Sequence, residues 1–128
     1  MATVLVIEDD SAILENTLEL LDLEGFNVIG ATNGMEGLQQ AIAQIPDVII
    51  CDVMMPQLDG YGVLKEVRGN PATAAIPFIF VSATPREEVI AVSAQLGASD
   101  YLLKPFRATD LLRIVRKLLG SRALNEPD

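Results

Sequence analysis

The chain has 128 residues, half of them apolar and 5% aromatic; this is one domain's length, enough to bury an aliphatic core without staples and too apolar for disorder. Nine basic residues against eighteen acidic ones give a net charge of −9, which argues against nucleic acid or an anionic membrane surface as a partner of this domain. With no histidine and one cysteine, Cys51, His-ligated zinc or haem, a Ser-His-Asp triad, a phosphohistidine carrier and an internal disulfide are all excluded, and a reducing compartment fits.

The N-terminus, Met1-Ala2-Thr3, shows no basic region ahead of an apolar stretch, and no apolar run approaches the roughly 18 residues that span a bilayer. The expected location is the cytoplasm. Val4-Leu5-Val6-Ile7 reads as a strand and is followed by Glu8, Asp9 and Asp10. Ile13, Leu14, Thr17, Leu18 and Leu21 form a helical stripe, with Asp10 or Ser11 as its cap. Phe26-Asn27-Val28-Ile29 is the second strand. Asn33 and Glu36 suggest a capping box for a helix whose stripe is Met35, Leu38, Ala41 and Ile42.

Val48-Ile49-Ile50-Cys51 is the third strand, ending at Asp52. The loop Val53-Met54-Met55-Pro56-Gln57-Leu58 leads to a turn or helix start at Asp59-Gly60. Val63, Leu64 and Val67 mark a third helix, closed near Gly69-Asn70-Pro71. Phe78-Ile79-Phe80-Val81 is the fourth strand, ending at Ser82. Val89, Val92 and Leu96 mark a weaker fourth helix stopped at Gly97. Tyr101-Leu102-Leu103 is the fifth strand, followed by Lys104-Pro105-Phe106. Leu111, Ile114, Val115 and Leu118 mark the fifth helix, expected to stop at Gly120. Leu112 and Leu119 widen its stripe, as deeper burial or a partner face would require. Residues 1–120 are thus expected as one domain and 121–128 as a polar tail or the start of a linker.

Strand followed by helix, five times over, predicts an α/β fold: a doubly wound parallel sheet with helices on both faces. The strands lack alternation, as expected when both faces are buried. Right-handed crossovers leave few topologies, and ligands in such sheets bind beyond the carboxyl ends of the strands. At that edge stand Glu8, Asp9, Asp52, Ser82 and Lys104. Capping accounts for one acid and leaves Glu8, Asp9 and Asp52. Three carboxylates together repel one another unless a cation sits among them. An all-oxygen set favours a hard cation, and Mg²⁺ fits best. Lys104 follows an apolar strand and can pair with a carboxylate or a phosphate there. Ser82 is a strand-end cap or a donor to an oxygen bound near Asp52. The two methionines, Met54 and Met55, read as core packing, the more common use of Met.

These residues resemble the receiver domain of two-component response regulators. The resemblance covers residues 3 to about 119 and rests on Glu8-Asp9, Asp52, the D-x-x-M-P-x-x-D-G loop from Asp52 to Gly60, Ser82-Ala83 and Lys104-Pro105-Phe106, in that order. It implies a flavodoxin-like (βα)5 sandwich with strand order 2-1-3-4-5. It implies that Asp52 is the phosphoacceptor, taking a phosphoryl group from a phosphohistidine or a small acyl phosphate. Asp9 and Asp52 would ligate Mg²⁺ directly, Glu8 through water, and Met54 by its backbone carbonyl. Lys104 and Ser82 would each hold a phosphoryl oxygen, with the Ala83 N–H beside them. Such a domain is a phosphorylated signalling module and not an enzyme beyond its own phosphorylation and dephosphorylation. Its partners would be a sensor histidine kinase or a histidine phosphotransfer protein. Ser82 and Tyr101 would form a switch, read out at the face of the fourth helix, fifth strand and fifth helix, where a homodimer is one use. Read without the resemblance, Tyr101 is a half-buried strand tyrosine. Lys104-Pro105 matches a cis peptide in the family.

Two departures stand out. The family usually places a capping Asp just after the Phe of Lys-Pro-Phe; here it is Arg107, which opposes the helix dipole unless Thr109 or Asp110 compensates. Met54 and Thr84 occupy positions that tune the lifetime of the aspartyl phosphate, and neither is acidic or amide-bearing. Three rivals compete. An aspartyl phosphatase of the haloacid-dehalogenase type needs an acid two residues after its nucleophile, where this chain has Met54. A flavin mononucleotide carrier needs a Ser/Thr/Gly-rich first loop, where Glu8-Asp9-Asp10 would repel the phosphate. A receiver-like interaction module that is never phosphorylated usually loses pocket residues, and all are present here.

Overall fold

β-Branched and aromatic runs set the five strands, and each is followed by a helix that opens at a cap or a turn. The computed structural model describes residues 1–124, and side-chain surroundings through residue 120. The order is β1 (Thr3–Ile7), α1 (Ser11–Leu23), β2 (Asn27–Ala31), α2 (Gly34–Gln44), β3 (Val48–Asp52), α3 (Gly60–Gly69), β4 (Phe78–Ser82), α4 (Arg86–Leu96), β5 (Asp100–Leu103) and α5 (Ala108–Leu124). The strands form one parallel sheet in the order β2-β1-β3-β4-β5, as the resemblance implies.

Successive strand residues feed two separate cores. Leu5, Ile7, Ile49, Cys51, Phe78 and Phe80 pack with Val63, Leu64 and Val67 of α3 and Val89 of α4. Val4, Val6, Val48, Ile50, Ile79 and Val81 pack with Leu14 and Leu21 of α1 and Leu111, Leu112, Ile114 and Val115 of α5. The sheet's two faces are both apolar, which is why the strands read as unbroken runs. Burial of this kind contributes on the order of 25 cal/mol per Å² of apolar surface.

Asp10 caps α1, accepting the Ile13 N–H at 3.1 Å. Asn33 caps α2, accepting the Glu36 N–H at 2.8 Å, but the Glu36 carboxylate returns to the Thr32 hydroxyl instead of the cap residue's N–H. Asp59 caps α3 through the Gly62 N–H at 2.8 Å.

Several expectations are corrected. The buried face of α2 is Gly34, Gly37 and Ala41; Met35 and Ile42 are exposed. Gly37 lies so close to β1 that a Cβ would sit 2.4 Å from Ile7 Cδ1, so the helix docks through its smallest residues. β2 runs two residues further than read, through Gly30 and Ala31, and leaves Phe26 outside it. On α4, Val89 is buried but Val92 is exposed, and Ser93 takes the inward position. Helix α5 passes through Gly120 and ends at Leu124. A helix-interior glycine costs about 1 kcal/mol, and nothing in Ser121-Arg122-Ala123-Leu124 breaks a helix. The rest of the predicted tail, 125–128, lies outside the described residues. Leu112 is buried and Leu119 packs against the same core, so the wide stripe serves burial within the chain. Arg116 pairs with Glu24 at 2.8 Å and Arg113 with Asp110 at 3.2 Å.

Candidate functional site

Register brings the expected residues to one edge. The Glu8 N–H extends the β1–β2 ladder to the Ala31 carbonyl at 3.0 Å, and the Lys104 N–H extends β4–β5 to the Ser82 carbonyl at 2.8 Å. Asp52 is the last residue of β3 and Ser82 the last of β4. Beyond Asp52 the chain turns sharply. The Gly60 N–H donates to the Val53 carbonyl at 2.8 Å, and a Cβ on Gly60 would lie 2.3 Å from the Asp52 carbonyl oxygen. Only glycine permits that approach. Gln57 sits at a left-handed φ of 68° within this loop, and Lys104-Pro105 is cis.

Glu8, Asp9 and Asp52 each present a carboxylate oxygen, and these oxygens all lie within 4.8 Å of one another. Glu8 is 4% exposed and Asp52 7%, whereas Asp9 is open to solvent. The Lys104 ammonium enters this group, 2.9 Å from Asp52 Oδ2 and in direct contact with Glu8 Oε1. Two backbone donors hold the remaining oxygens: the Met54 N–H reaches Asp52 Oδ1 and the Asp10 N–H reaches Glu8 Oε2, both at 3.2 Å. Burial raises the Glu8 carboxyl to about 7; the nearby Asp52 charge adds to this, while Lys104 and the Asp10 N–H oppose it. For Lys104, burial works against the charge, but its hydrogen bonds to Glu8 and Asp52 prevail and its pKa lies above the usual lysine value.

The methionines divide their roles. Met55 is buried in the core, and Met54 is 68% exposed beside the site. Ala83 is exposed at the end of β4 and borders a groove lined by Ile13, Lys104, Pro105 and Phe106. Ser82 is buried; its hydroxyl donates to Thr84 Oγ1 at 3.0 Å and accepts the Thr84 N–H at 3.1 Å. Tyr101 is buried, not half-buried, and its hydroxyl donates to the carbonyls of Ser82, at 3.2 Å, and Thr84. The Thr84 hydroxyl as partner of Ser82 is what reading the residues in order missed. The available signal was a second hydroxyl two residues after a strand-end serine, the spacing of a local side-chain turn. At the start of α5, the Arg107 carbonyl accepts the N–H groups of Asp110 and Leu111, and Asp110 supplies the acid of the first turn.

This group of side chains lies within the span of a known family. The profile of the response regulator receiver domain matches residues 4–116. The DNA-binding dual master transcriptional regulator RpaA of Synechocystis sp. is 35% identical over 119 residues, covering 93% of this chain and 49% of the relative; the chain spans about half the length of the curated relatives it matches. A crystal structure of a response regulator receiver domain protein from Clostridium thermocellum superposes with a TM-score of 0.90 at 30% identity, covering 98% of this chain and 100% of the other. The receiver domain of a sensor histidine kinase from Pseudomonas aeruginosa, solved with a magnesium ion coordinated in its active-site cleft, superposes with a TM-score of 0.86 at 28% identity, covering 93% of this chain and 98% of that one. Among the described residues no helix is long and apolar enough to cross a membrane. The chain carries the family's signalling fold with its acidic edge in place, and it belongs to the response regulator receiver domain family.

Proposed function

We propose that Asp52 accepts a phosphoryl group from the phosphohistidine of a sensor kinase or phosphotransfer protein, or from a small acyl phosphate. The observation that carries this reading is the Lys104 ammonium shared between Asp52 and Glu8, with Asp9 beside them. In the reaction one Asp52 oxygen bonds to phosphorus as the P–N bond of the donor breaks, and the electron pair leaves with the imidazole nitrogen. Phosphoryl transfer asks the protein for in-line positioning and for positive charge around the equatorial oxygens. Lys104 is the cation within reach, and the Met54 N–H fixes the acceptor carboxylate's orientation. Ser82 and the Ala83 N–H stand at the neighbouring strand end as further donors.

The donor set fits a hard divalent ion: three carboxylates converge, and one ammonium does not balance them. Asp9 and Asp52 would hold Mg²⁺ directly, Glu8 through water and Met54 by its carbonyl. Mg²⁺, when bound, supplies charge compensation for the carboxylates and the phosphoryl oxygens. A sensor kinase or phosphotransfer partner would place the domain in the cytoplasm. Phosphorylation would act through Ser82 and Tyr101 on the face of α4, β5 and α5, where Ile90, Val92 and Leu103 are exposed and a partner or a second copy would dock.

The test is incubation with acetyl phosphate, with and without Mg²⁺, followed by intact mass spectrometry, with Asp52→Asn alongside. The expected result is a gain of one phosphoryl group that needs both Mg²⁺ and Asp52. No gain, with beryllium fluoride also failing to bind, overturns the proposal in favour of an interaction module that is never phosphorylated.

A further inference from the structure

Ser82 has one hydroxyl proton, and Thr84 holds it. Ser82 Oγ donates to Thr84 Oγ1 at 3.0 Å, and the Thr84 N–H donates back to Ser82 Oγ at 3.1 Å. Ser82 is 1% exposed, so bulk water does not compete for that proton. The main chain of the same turn is tied from the other side, because the Tyr101 hydroxyl bonds the carbonyls of both Ser82 and Thr84. Ser82, Thr84 and Tyr101 therefore form one closed set of hydrogen bonds. For the Ser82 hydroxyl to reach an oxygen bound at Asp52, its bond to Thr84 Oγ1 must break first. A phosphoryl oxygen is a charged acceptor, and bonds to charged acceptors are about twice as strong as neutral ones. The exchange favours the phosphoryl group, but each binding event loses the bond to Thr84.

We propose that Thr84 is a positioning residue that keeps the Ser82 hydroxyl in reserve and so sets how tightly a phosphoryl group must bind before Ser82 turns to it. This rests on Asp52 being the phosphoacceptor. A neutral hydrogen bond of this kind is worth roughly a fivefold change in an equilibrium constant.

The experiment is calorimetric titration with beryllium fluoride at saturating Mg²⁺ of the wild type, Asp52→Asn, Thr84→Val, Thr84→Ala and Thr84→Ser. Thr84→Val is also titrated in a Ser82→Ala background. Thr84→Val preserves shape and β-branching while removing the hydroxyl, and Thr84→Ala removes it with a smaller side chain. The expected result is about fivefold tighter binding by Thr84→Val and Thr84→Ala, wild-type binding by Thr84→Ser, and no gain from Thr84→Val once Ser82 is alanine. Equal or weaker binding by both variants that lack the hydroxyl overturns the proposal, as does a gain that persists with Ser82→Ala. In those cases binding by the wild type still upholds Asp52 as the acceptor. Absence of wild-type binding, or binding unchanged by Asp52→Asn, overturns the reading of the site itself.

Discussion

Glu8 carries an ordinary side chain into an unusual place. In the unfolded chain it titrates near 4.5, and in the folded domain it is raised to about 7, first by burial. Between those values the folded state binds more protons than the unfolded one, so stability falls as pH rises across the window. Thermal melts at pH 5, 6, 7 and 8 without divalent ions are expected to show the wild type losing ground to Glu8→Gln as pH rises. A constant difference between the two would contradict the burial of this carboxyl. Lys104 adds a dependence of the same sign in a more alkaline window. Its pKa is raised in the fold, so its contribution is present below the usual lysine value and is lost as pH climbs through the folded one. Lys104→Met leaves Glu8 and Asp52 facing each other without a cation. Removing one member of such a buried group typically costs about 3–5 kcal/mol, measurable by urea denaturation, and added Mg²⁺ is expected to recover part of it.

At the scale of elements, Arg68 does more than its place at the end of α3 announces. Its guanidinium donates to the carbonyls of Ala74 and Ile76 and, through two nitrogens, to Gly97 at the end of α4. Arg68→Met is expected to cost about 2 kcal/mol, from the range for hydrogen bonds to a charged group, and Arg68→Lys to recover less than half, because one ammonium cannot span the fork. Gly60→Ala is expected to lower stability by about 1–3 kcal/mol by overpacking and to weaken beryllium fluoride binding together with it, since the clash falls on the Asp52 main chain. The strands, their order and the acidic edge were legible from apolar runs and the residues that follow them. The facing of the helices was less so. The stripe through Met35 and Ile42 follows hydrophobicity, whereas α2 docks through Gly34, Gly37 and Ala41, where the absence of a side chain is the contact. Val92 lost its expected place to Ser93 for want of a strong periodic signal in α4. The bond between Thr84 and Ser82 escaped because the position was read for the lifetime of the aspartyl phosphate, not for the side-chain turn that a hydroxyl two residues after Ser82 can close.

For the whole molecule, the acidic surface and the acidic pocket respond to ions differently. Screening by salt weakens repulsion among exposed charges. Specific binding adds stability by mass action, about 2.7 kcal/mol at a hundred times the dissociation constant. Mg²⁺ is therefore expected to raise the melting temperature well beyond an equal ionic strength of NaCl, and Asp9→Asn to abolish the difference while staying folded. Equal responses to the two salts would remove the case for a cation among Glu8, Asp9 and Asp52.

The sorting of strand residues into two cores has a consequence for accuracy. A strand with one wet face is held in register by polarity, because a one-residue slip would put its apolar side in water. In β3 and β4 a slip would not put an apolar side in water, since every residue of both strands is buried. What it violates is volume. Phe78 and Phe80 occupy one layer, and Ile79 and Val81 the other, so a shifted β4 would press two rings into room built for aliphatic side chains. The alignment of Ser82 with Asp52 and Lys104 is thus proofread by size as well as by charge. Making β4 uniform with Phe78→Ile and Phe80→Val would relax that check, and the loss would be felt first at the edge where a phosphoryl group has to fit.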